Sequence, residues 1–206
     1  MRMMAKKSIL SLNRLRKVYP GVVALDDISF DIFEGEIHAI AGENGAGKST
    51  LIKILTGAIQ PDGGSITLGN DVYFGFTPDQ SLFKLGIAAI YQEFNLVPYL
   101  TISENIFLGK EYRKGVFRDK ARMRRETAAL MDSLGITIDP DVIIKDMGVA
   151  YQQIVEIAKA VSNNARILIM DEPTAPLTIK EVDILKQLVK KLNHDGVTII
   201  YILSLI

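Results

Sequence analysis

A glycine-rich segment near residue 45 carries residue types that bind phosphate. Residues 42–49 read Gly-Glu-Asn-Gly-Ala-Gly-Lys-Ser and fit the pattern G-x-x-x-x-G-K-[ST]. Glycines there let backbone N–H groups approach phosphate oxygens without obstruction by side chains. We expect the Lys48 ammonium to reach the β and γ phosphates of a nucleotide, and the Ser49 hydroxyl to ligate Mg²⁺, which prefers oxygen ligands. The predicted phosphate-binding loop consists of Gly42, Glu43, Asn44, Gly45, Ala46, Gly47, Lys48, Ser49 and Thr50.

An acidic pair follows an apolar run later in the chain. Asp171 and Glu172 come directly after residues 167–170, whose sequence Ile-Leu-Ile-Met is typical of a buried strand. Ligands of open parallel sheets gather at the carboxyl ends of strands. We therefore predict that Asp171 binds Mg²⁺ directly or through water and that Glu172 polarises the attacking water of a phosphoryl transfer. Taken alone, such a pair could be a solvated strand end, and the phosphate-binding loop is what favours a site.

The segments around these residues predict an α/β fold. Residues 36–41 are predicted to form a buried strand, and the helical spacing of residues 50–55 places a helix directly after the loop. Residues 87–91 indicate another buried strand, which ends at Gln92. Short strands are also expected at 22–25, 28–32 and 197–202, because apolar runs there are broken by glycine and proline.

A helical insertion is expected between these strands, from about residue 101 to 161. Thr101 and Glu104 have the spacing of a capping box at a helix N-terminus. Near the end of the insertion, the apolar residues between Ile154 and Val161 would line one face of a helix. Thr178 and Glu181 repeat the capping-box spacing and predict one more helix, ending near His194.

Composition limits the classes of function. The chain has 206 residues, of which 48% are hydrophobic, and this fits one globular domain. Lysine plus arginine and aspartate plus glutamate both number 24, so nucleic acid is not the default partner. Cysteine is absent, which excludes disulfides and thiol catalysis. The longest apolar run, residues 197–206, is shorter than the roughly 20 residues of a membrane-spanning helix, so a membrane role is expected to be peripheral.

The order of these motifs resembles the ATP-binding cassette (ABC) ATPases over nearly the whole chain. Tyr19 stands where that family has an aromatic residue that stacks on adenine, and Gln92 stands where it has the glutamine of its Q-loop. The amino-acid sequence of several segments is similar to that of the ATPases of bacterial monosaccharide importers, such as those for ribose, xylose or galactose. The segments that carry this narrower resemblance are residues 19–25, 42–50, 90–93, 152–160 and 171–174.

The resemblance implies a P-loop NTPase core with an antiparallel β subdomain and a helical subdomain at roughly residues 100–162. It implies ATP and Mg²⁺ as ligands, with Ser49, Gln92 and Asp171 at the metal and with Glu172 and Gln92 as catalytic residues. Two ATP molecules would bind between this cassette and a second one, in a homodimer, a heterodimer or a tandem chain. Closure of the two cassettes would be transmitted through the Gln92 region to a membrane permease, at the cytoplasmic face of the membrane. A separate protein would bind the sugar.

The sequence departs from that family at three places. The family's signature, usually Leu-Ser-x-Gly-Gln, aligns with residues 147–151, where Gly148 replaces the serine and Ala150 replaces the glycine. Pro176 stands where many relatives have alanine and removes one N–H donor. Ser204 stands where the family has a histidine that senses the γ-phosphate, and the chain then stops. We expect a cassette that lacks its C-terminal end, and a shifted reading frame is one hypothesis for it.

Two other functions remain as alternatives. One is a fragment that binds ATP without hydrolysis or coupling to transport. The other is an ABC protein acting on DNA or ribosomes, against which the neutral charge argues. His38 and His194 are not expected to ligate metal. The basic residues from Arg118 to Arg125 are expected to form a solvated helix face, with an anionic lipid or nucleic acid as the alternative contact.

Overall fold

The computed structural model of the chain describes residues 7–173 and 177–204. Pro176, where a departure was noted, lies outside the described residues. The described chain divides into two compact units. The first runs to Ala89 and includes Ala165–Glu172 and the residues from Asn193 onward, and the second contains Ile90–Asn164 and most of the segment from Pro173 to Leu192. The predicted helical subdomain, residues 100–162, falls inside the second unit, and the expectation of one domain stays a prediction.

The described residues form strands, helices and two short helical turns. The strands are β1 (Ser8–Tyr19), β2 (Val22–Phe33), β3 (Ile37–Gly42), β4 (Gly63–Leu68), β5 (Asp71–Tyr73), β6 (Ile87–Ile90), β7 (Arg113–Lys114), β8 (Phe117–Arg118), β9 (Ile167–Asp171) and β10 (Thr198–Ser204). The helices are α1 (Lys48–Leu55), α2 (Ile102–Ile106), α3 (Lys120–Ser133), α4 (Val149–Val161) and α5 (Ile179–His194). A π-helical turn covers Gln80–Leu85 and a 3-10 turn covers Ile144–Asp146. None of the described helices is both long enough and apolar enough to cross a bilayer.

An antiparallel sheet in the order β2-β1-β4-β5 forms part of the first unit, as the resemblance implies. Its core contains the fully buried Leu15, Ile32 and Ile66. The two short strands predicted at 22–25 and 28–32 are one continuous strand, β2. Asp27 has a φ of 52° and the pairing with β1 is irregular around it, so the chain kinks there without ending the strand.

A second sheet of that unit has the order β3-β10-β9-β6, and its strands β3, β10 and β9 are parallel. In β9, residues 167–170 are fully buried, as the continuous apolar run predicts. The prediction that β3 is buried was wrong, because this strand lies at the sheet edge and leaves Ile37 47% exposed. The register pairs Ile202 of β10 with Asp171 on one side and Ser204 of β10 with Gly42 on the other.

The second unit is mainly helical, with one small hairpin formed by β7 and β8. Both predicted capping boxes are present: the Thr101 hydroxyl accepts the Glu104 N–H at 3.2 Å, and the Glu181 carboxylate accepts the Thr178 N–H at 2.9 Å. Helix α4 was expected to bury one face, but it is buried on most of its circumference, including Gln153 and Glu156. The basic run is not one helix face, since its first residue belongs to β8.

Candidate functional site

The glycine-rich loop between β3 and α1 has the conformation that its sequence predicts. Gly47 caps α1 with a φ of 85°, a conformation that favours glycine. A Cβ atom at Gly47 would lie 2.3 Å from the carbonyl oxygen of Ala24 and 2.8 Å from the Leu25 side chain, so β2 leaves no space for one. No described side chain caps the first turn of α1. The N–H groups of this turn, with the helix dipole, therefore form an anion-binding surface.

Lys48 lies over this loop. Its ammonium donates hydrogen bonds to the carbonyl oxygen of Gly42 at 2.7 Å and to that of Glu43 at 2.9 Å. Both acceptors belong to the loop backbone, so the cation is held beside the helix N-terminus without a carboxylate partner at either bond. A positive charge in this place strengthens the attraction of the loop for phosphate.

Asp171 lies at the carboxyl end of β9, in the same unit as the loop. Burial raises the pKa of its carboxyl group, and the neighbouring charge of Glu172 raises it further. The positive charge of Lys48 lowers the same pKa. The fold thus brings the two predicted motifs together, because β10 pairs with both β3 and β9.

Glu172 begins the turn after β9 in an unusual backbone conformation. Its φ is 46°, in the left-handed region that few residues other than glycine adopt, and its N–H donates to the Ile202 carbonyl oxygen at 3.1 Å. The Ser204 hydroxyl donates to the Glu172 carboxylate. The same hydroxyl oxygen lies 3.0 Å from Oδ1 of Asn44 in the phosphate loop. A small polar network therefore joins the loop, the acidic pair and the end of β10.

Two other predicted site residues are exposed. Tyr19 is the last residue of β1. Its side chain is 38% exposed, with the Lys17 ammonium 5.6 Å from the ring centre. Gln92 is exposed, lies two residues after β6 and belongs to the second unit.

The altered signature lies at the N-terminus of α4. Gly148 is the N-cap residue, and no described side chain caps this helix. A serine at residue 148 would supply the usual hydroxyl acceptor at such a position. The nearest side-chain bond comes instead from Gln152, whose amide donates to the Met147 carbonyl oxygen at 2.9 Å.

Sequence reasoning missed two buried polar side chains of the second unit, Glu156 and Asn105. Glu156 belongs to α4, where the helical period places it opposite the apolar face that contains Ile154 and Ala158, so no signal in the sequence indicated its burial. Asn105 is fully buried in α2 and bonds the backbone of the segment that follows Gln92. No pattern in the sequence predicted that contact.

Known proteins were compared with the chain as a whole. The family model described as ABC transporter matches residues 25–175, a range that contains both the phosphate loop and the acidic pair. The chain belongs to the ABC transporter family. Among solved structures, it is similar to the ATP-binding cassette MJ1267 in its ADP conformation, with a TM-score of 0.84, 25% identity, and coverage of 97% of this chain and 82% of that one. The fold predicted from the sequence is thereby confirmed.

Similar proteins of the same family carry names that describe sugar import. The chain is 50% identical over 195 residues to the ribose import ATP-binding protein RbsA 1 of Streptomyces avermitilis, covering 94% of this chain and 37% of that protein. It is 45% identical over 199 residues to the putative ribose/galactose/methyl galactoside import ATP-binding protein 1 of Agrobacterium fabrum, covering 96% of this chain and 39% of that protein. The chain thus spans less than two fifths of the length of these relatives. The predicted subfamily resemblance is confirmed.

Proposed function

We propose that this chain binds and hydrolyses ATP and that the hydrolysis energises the import of a monosaccharide through an ABC permease. The observation that carries the proposal is the contact of the Ser204 hydroxyl with both Asn44 of the phosphate loop and Glu172 of the acidic pair, because it brings the two motifs together. The names of the curated relatives support sugar import. In this proposal the chain acts with a second cassette and a permease at the cytoplasmic face of the membrane, and the sugar reaches the permease from a separate binding protein.

The residues of the loop would bind the nucleotide. The N–H groups at the start of α1 and the Lys48 ammonium attract the phosphates, because both present positive charge in a partly buried place. The exposed ring of Tyr19 offers an apolar face to the adenine base. The loop from Gly42 to Thr50 thus serves as the nucleotide-binding loop.

The donor set fits Mg²⁺. Within the described ranges, no group of three or more histidine, cysteine, aspartate or glutamate residues could hold a metal by itself. Mg²⁺ usually binds through one or two protein oxygens together with the phosphates of the nucleotide. The Ser49 hydroxyl and the Asp171 carboxylate would hold it, and the resemblance to ABC ATPases adds the Gln92 amide oxygen as a ligand. A cation beside Asp171 also offsets the repulsion from Glu172, and when bound it neutralises charge on the transferred phosphoryl group.

Glu172 would orient the attacking water. Its carboxylate is fixed by the Ser204 hydroxyl and its backbone by the Ile202 carbonyl oxygen, so it can accept a hydrogen bond from water in one orientation. Phosphoryl transfer gains most of its catalysis from such positioning. The product ADP and phosphate would then leave the loop.

The experiment that tests the proposal is steady-state hydrolysis of ATP by the purified chain with Mg²⁺, beside a Glu172→Gln variant. Turnover that the variant loses while it still binds ATP supports the proposal. ATP binding without turnover in the wild type supports the second candidate, a domain that binds ATP only. Gly148 at the N-cap of α4 and Ser204 at the end of β10 are the observations that favour that candidate.

A further inference from the structure

Two side chains of α4 form hydrogen bonds with the backbone of Asn95, which lies three residues after Gln92. Its N–H donates to the carboxylate of Glu156, and its carbonyl oxygen accepts the ammonium of Lys159 at 3.3 Å. The two side chains are three residues apart on the helix and therefore lie on one face of it. We call these three residues the Asn95 clamp.

A second attachment follows two residues later. The buried side-chain amide of Asn105 accepts the Val97 N–H at 2.7 Å and donates to the Val97 carbonyl oxygen at 3.1 Å. Leu96, between the two attachments, is buried. The chain from Asn95 to Val97 is thus fixed at each successive residue, although its surface position would otherwise leave it free to move.

Glu156 makes the Asn95 clamp costly. Its side chain is only 5% exposed, and its second carboxylate oxygen has no hydrogen-bond partner among the described residues. Burial raises the pKa of this carboxyl group to about 7. A buried carboxylate with an unpaired oxygen destabilises a fold, and an apolar residue at the same place in α4 would avoid that cost. A role beyond packing explains why a carboxylate is present.

We propose that Glu156 and Lys159 are positioning residues that hold Asn95 and thereby present Gln92 in one conformation. The inference rests on the role given to Gln92 under the proposed function. Three residues of extended chain span at most about 10 Å, so fixing the Asn95 peptide group restricts where the Gln92 amide can reach. Lys159 and Glu156 belong to α4, whose N-cap is Gly148. The Asn95 clamp therefore connects the segment after Gln92 to the helix that follows the altered signature.

Hydrogen exchange of the Asn95 amide tests the clamp directly in the nucleotide-free chain. Glu156→Ala removes the acceptor, and we expect exchange at least tenfold faster than in the wild type. Glu156→Gln keeps an acceptor oxygen, and we expect its exchange within threefold of wild type. Lys159→Met should also speed exchange, whereas Lys190→Met, which removes an exposed lysine of α5, should leave it unchanged. Equal exchange rates in wild type and Glu156→Ala would overturn the clamp.

The positioning role has its own measurements. We expect Glu156→Ala to lower kcat about tenfold while KM for ATP stays within twofold. We also expect it to weaken the Mg²⁺ dependence of ATP binding, as we expect of Gln92→Ala. The positioning role would be overturned if Glu156→Ala exchanged the Asn95 amide faster but kept the wild-type kcat and Mg²⁺ dependence of ATP binding, while Gln92→Ala altered both. A wild type without turnover contradicts the proposed hydrolysis, and the Mg²⁺ dependence of ATP binding then decides the positioning role by itself.

Discussion

The Ser204 hydroxyl donates a hydrogen bond to the Glu172 carboxylate at the carboxyl ends of two neighbouring parallel strands. The register of β10 produces this contact, because it places Ser204 opposite Gly42 and Ile202 opposite Asp171. The ABC ATPases that the chain resembles have a histidine at this place. The serine keeps a hydrogen bond to the acidic pair, although it cannot extend as far as an imidazole.

Removing that hydroxyl should lower turnover without lowering ATP affinity. A hydrogen bond to a charged group contributes about 1.5 kcal/mol, which corresponds to roughly tenfold in kcat for Ser204→Ala. Ser204→Thr keeps the hydroxyl and is the matched control, and Ser204→His tests whether the family's residue raises turnover further. The measurement is kcat beside the Kd for ATP. A kcat for Ser204→Ala equal to that of wild type would show that Glu172 does not depend on this contact.

Replacing Lys48 should weaken nucleotide binding. Lys48→Met removes the ammonium beside the loop, and a charged hydrogen bond to phosphate is worth about 1.5–3 kcal/mol, or roughly 10- to 100-fold in Kd. Lys53→Met is the control, because Lys53 lies on the exposed face of the same helix and its loss changes the net charge equally. Titration calorimetry with ATP gives both values. Equal weakening in the two variants would assign the effect to net charge and not to the loop.

Two glycines of the loop provide a matched pair for stability. Gly45 and Gly47 both have positive φ, but a Cβ atom at Gly45 meets no atom within 4 Å, whereas one at Gly47 meets the Ala24 carbonyl oxygen at 2.3 Å. Gly45→Ala should cost about 1 kcal/mol from backbone strain alone. Gly47→Ala should cost at least about 2 kcal/mol more, because β2 must move as well. Denaturant unfolding measures both, and similar midpoints would contradict the steric account.

Stability should fall as pH rises through the range in which Glu156 ionises. The folded chain keeps its proton up to a pKa of about 7, whereas an unfolded glutamate releases it near 4.5. Between these values the folded state binds the extra proton, so the free energy of unfolding decreases with rising pH by about 3 kcal/mol in total. The nearby Lys159 opposes the shift and limits it.

Glu156→Gln isolates this effect. The variant cannot ionise, so its stability should lack the decrease between pH 4.5 and 7 and should exceed that of the wild type at pH 8. Urea unfolding at a series of pH values measures the difference between the two proteins, which cancels the contributions of all other groups. The same pH dependence in both proteins would refute the assignment to Glu156.

Much of the fold could be predicted because local patterns specify it. The capping boxes at Thr101 and Thr178, the buried run of β9 and the loop before α1 all follow from residue types at fixed spacing. The exposure of β3 could not be predicted, since an apolar run does not reveal that its strand lies at an edge. The kink at Asp27 depends on pairing with β1, which is a property of two distant segments.

The candidate site divides in the same way. Its phosphate loop and acidic pair were predictable, because nucleotide chemistry restricts both to few residue types. Two hydrogen bonds could not be predicted: the one between Ser204 and Glu172 and the one between Asn95 and Glu156. They join residues that are 32 and 61 positions apart in the sequence. Such contacts depend on strand register and helix packing, which one sequence does not state.

The pairing of β10 limits how this chain can change in evolution. Side chains alternate along a strand with a period of two, so one residue inserted or deleted between Thr198 and Ser204 would exchange the two faces of the strand. The fully buried Ile199 and Ile200 would shift position, and residue 204 would leave the acidic pair. The contact of residue 204 with Glu172 therefore depends on the length of β10 as well as on the residue at its end.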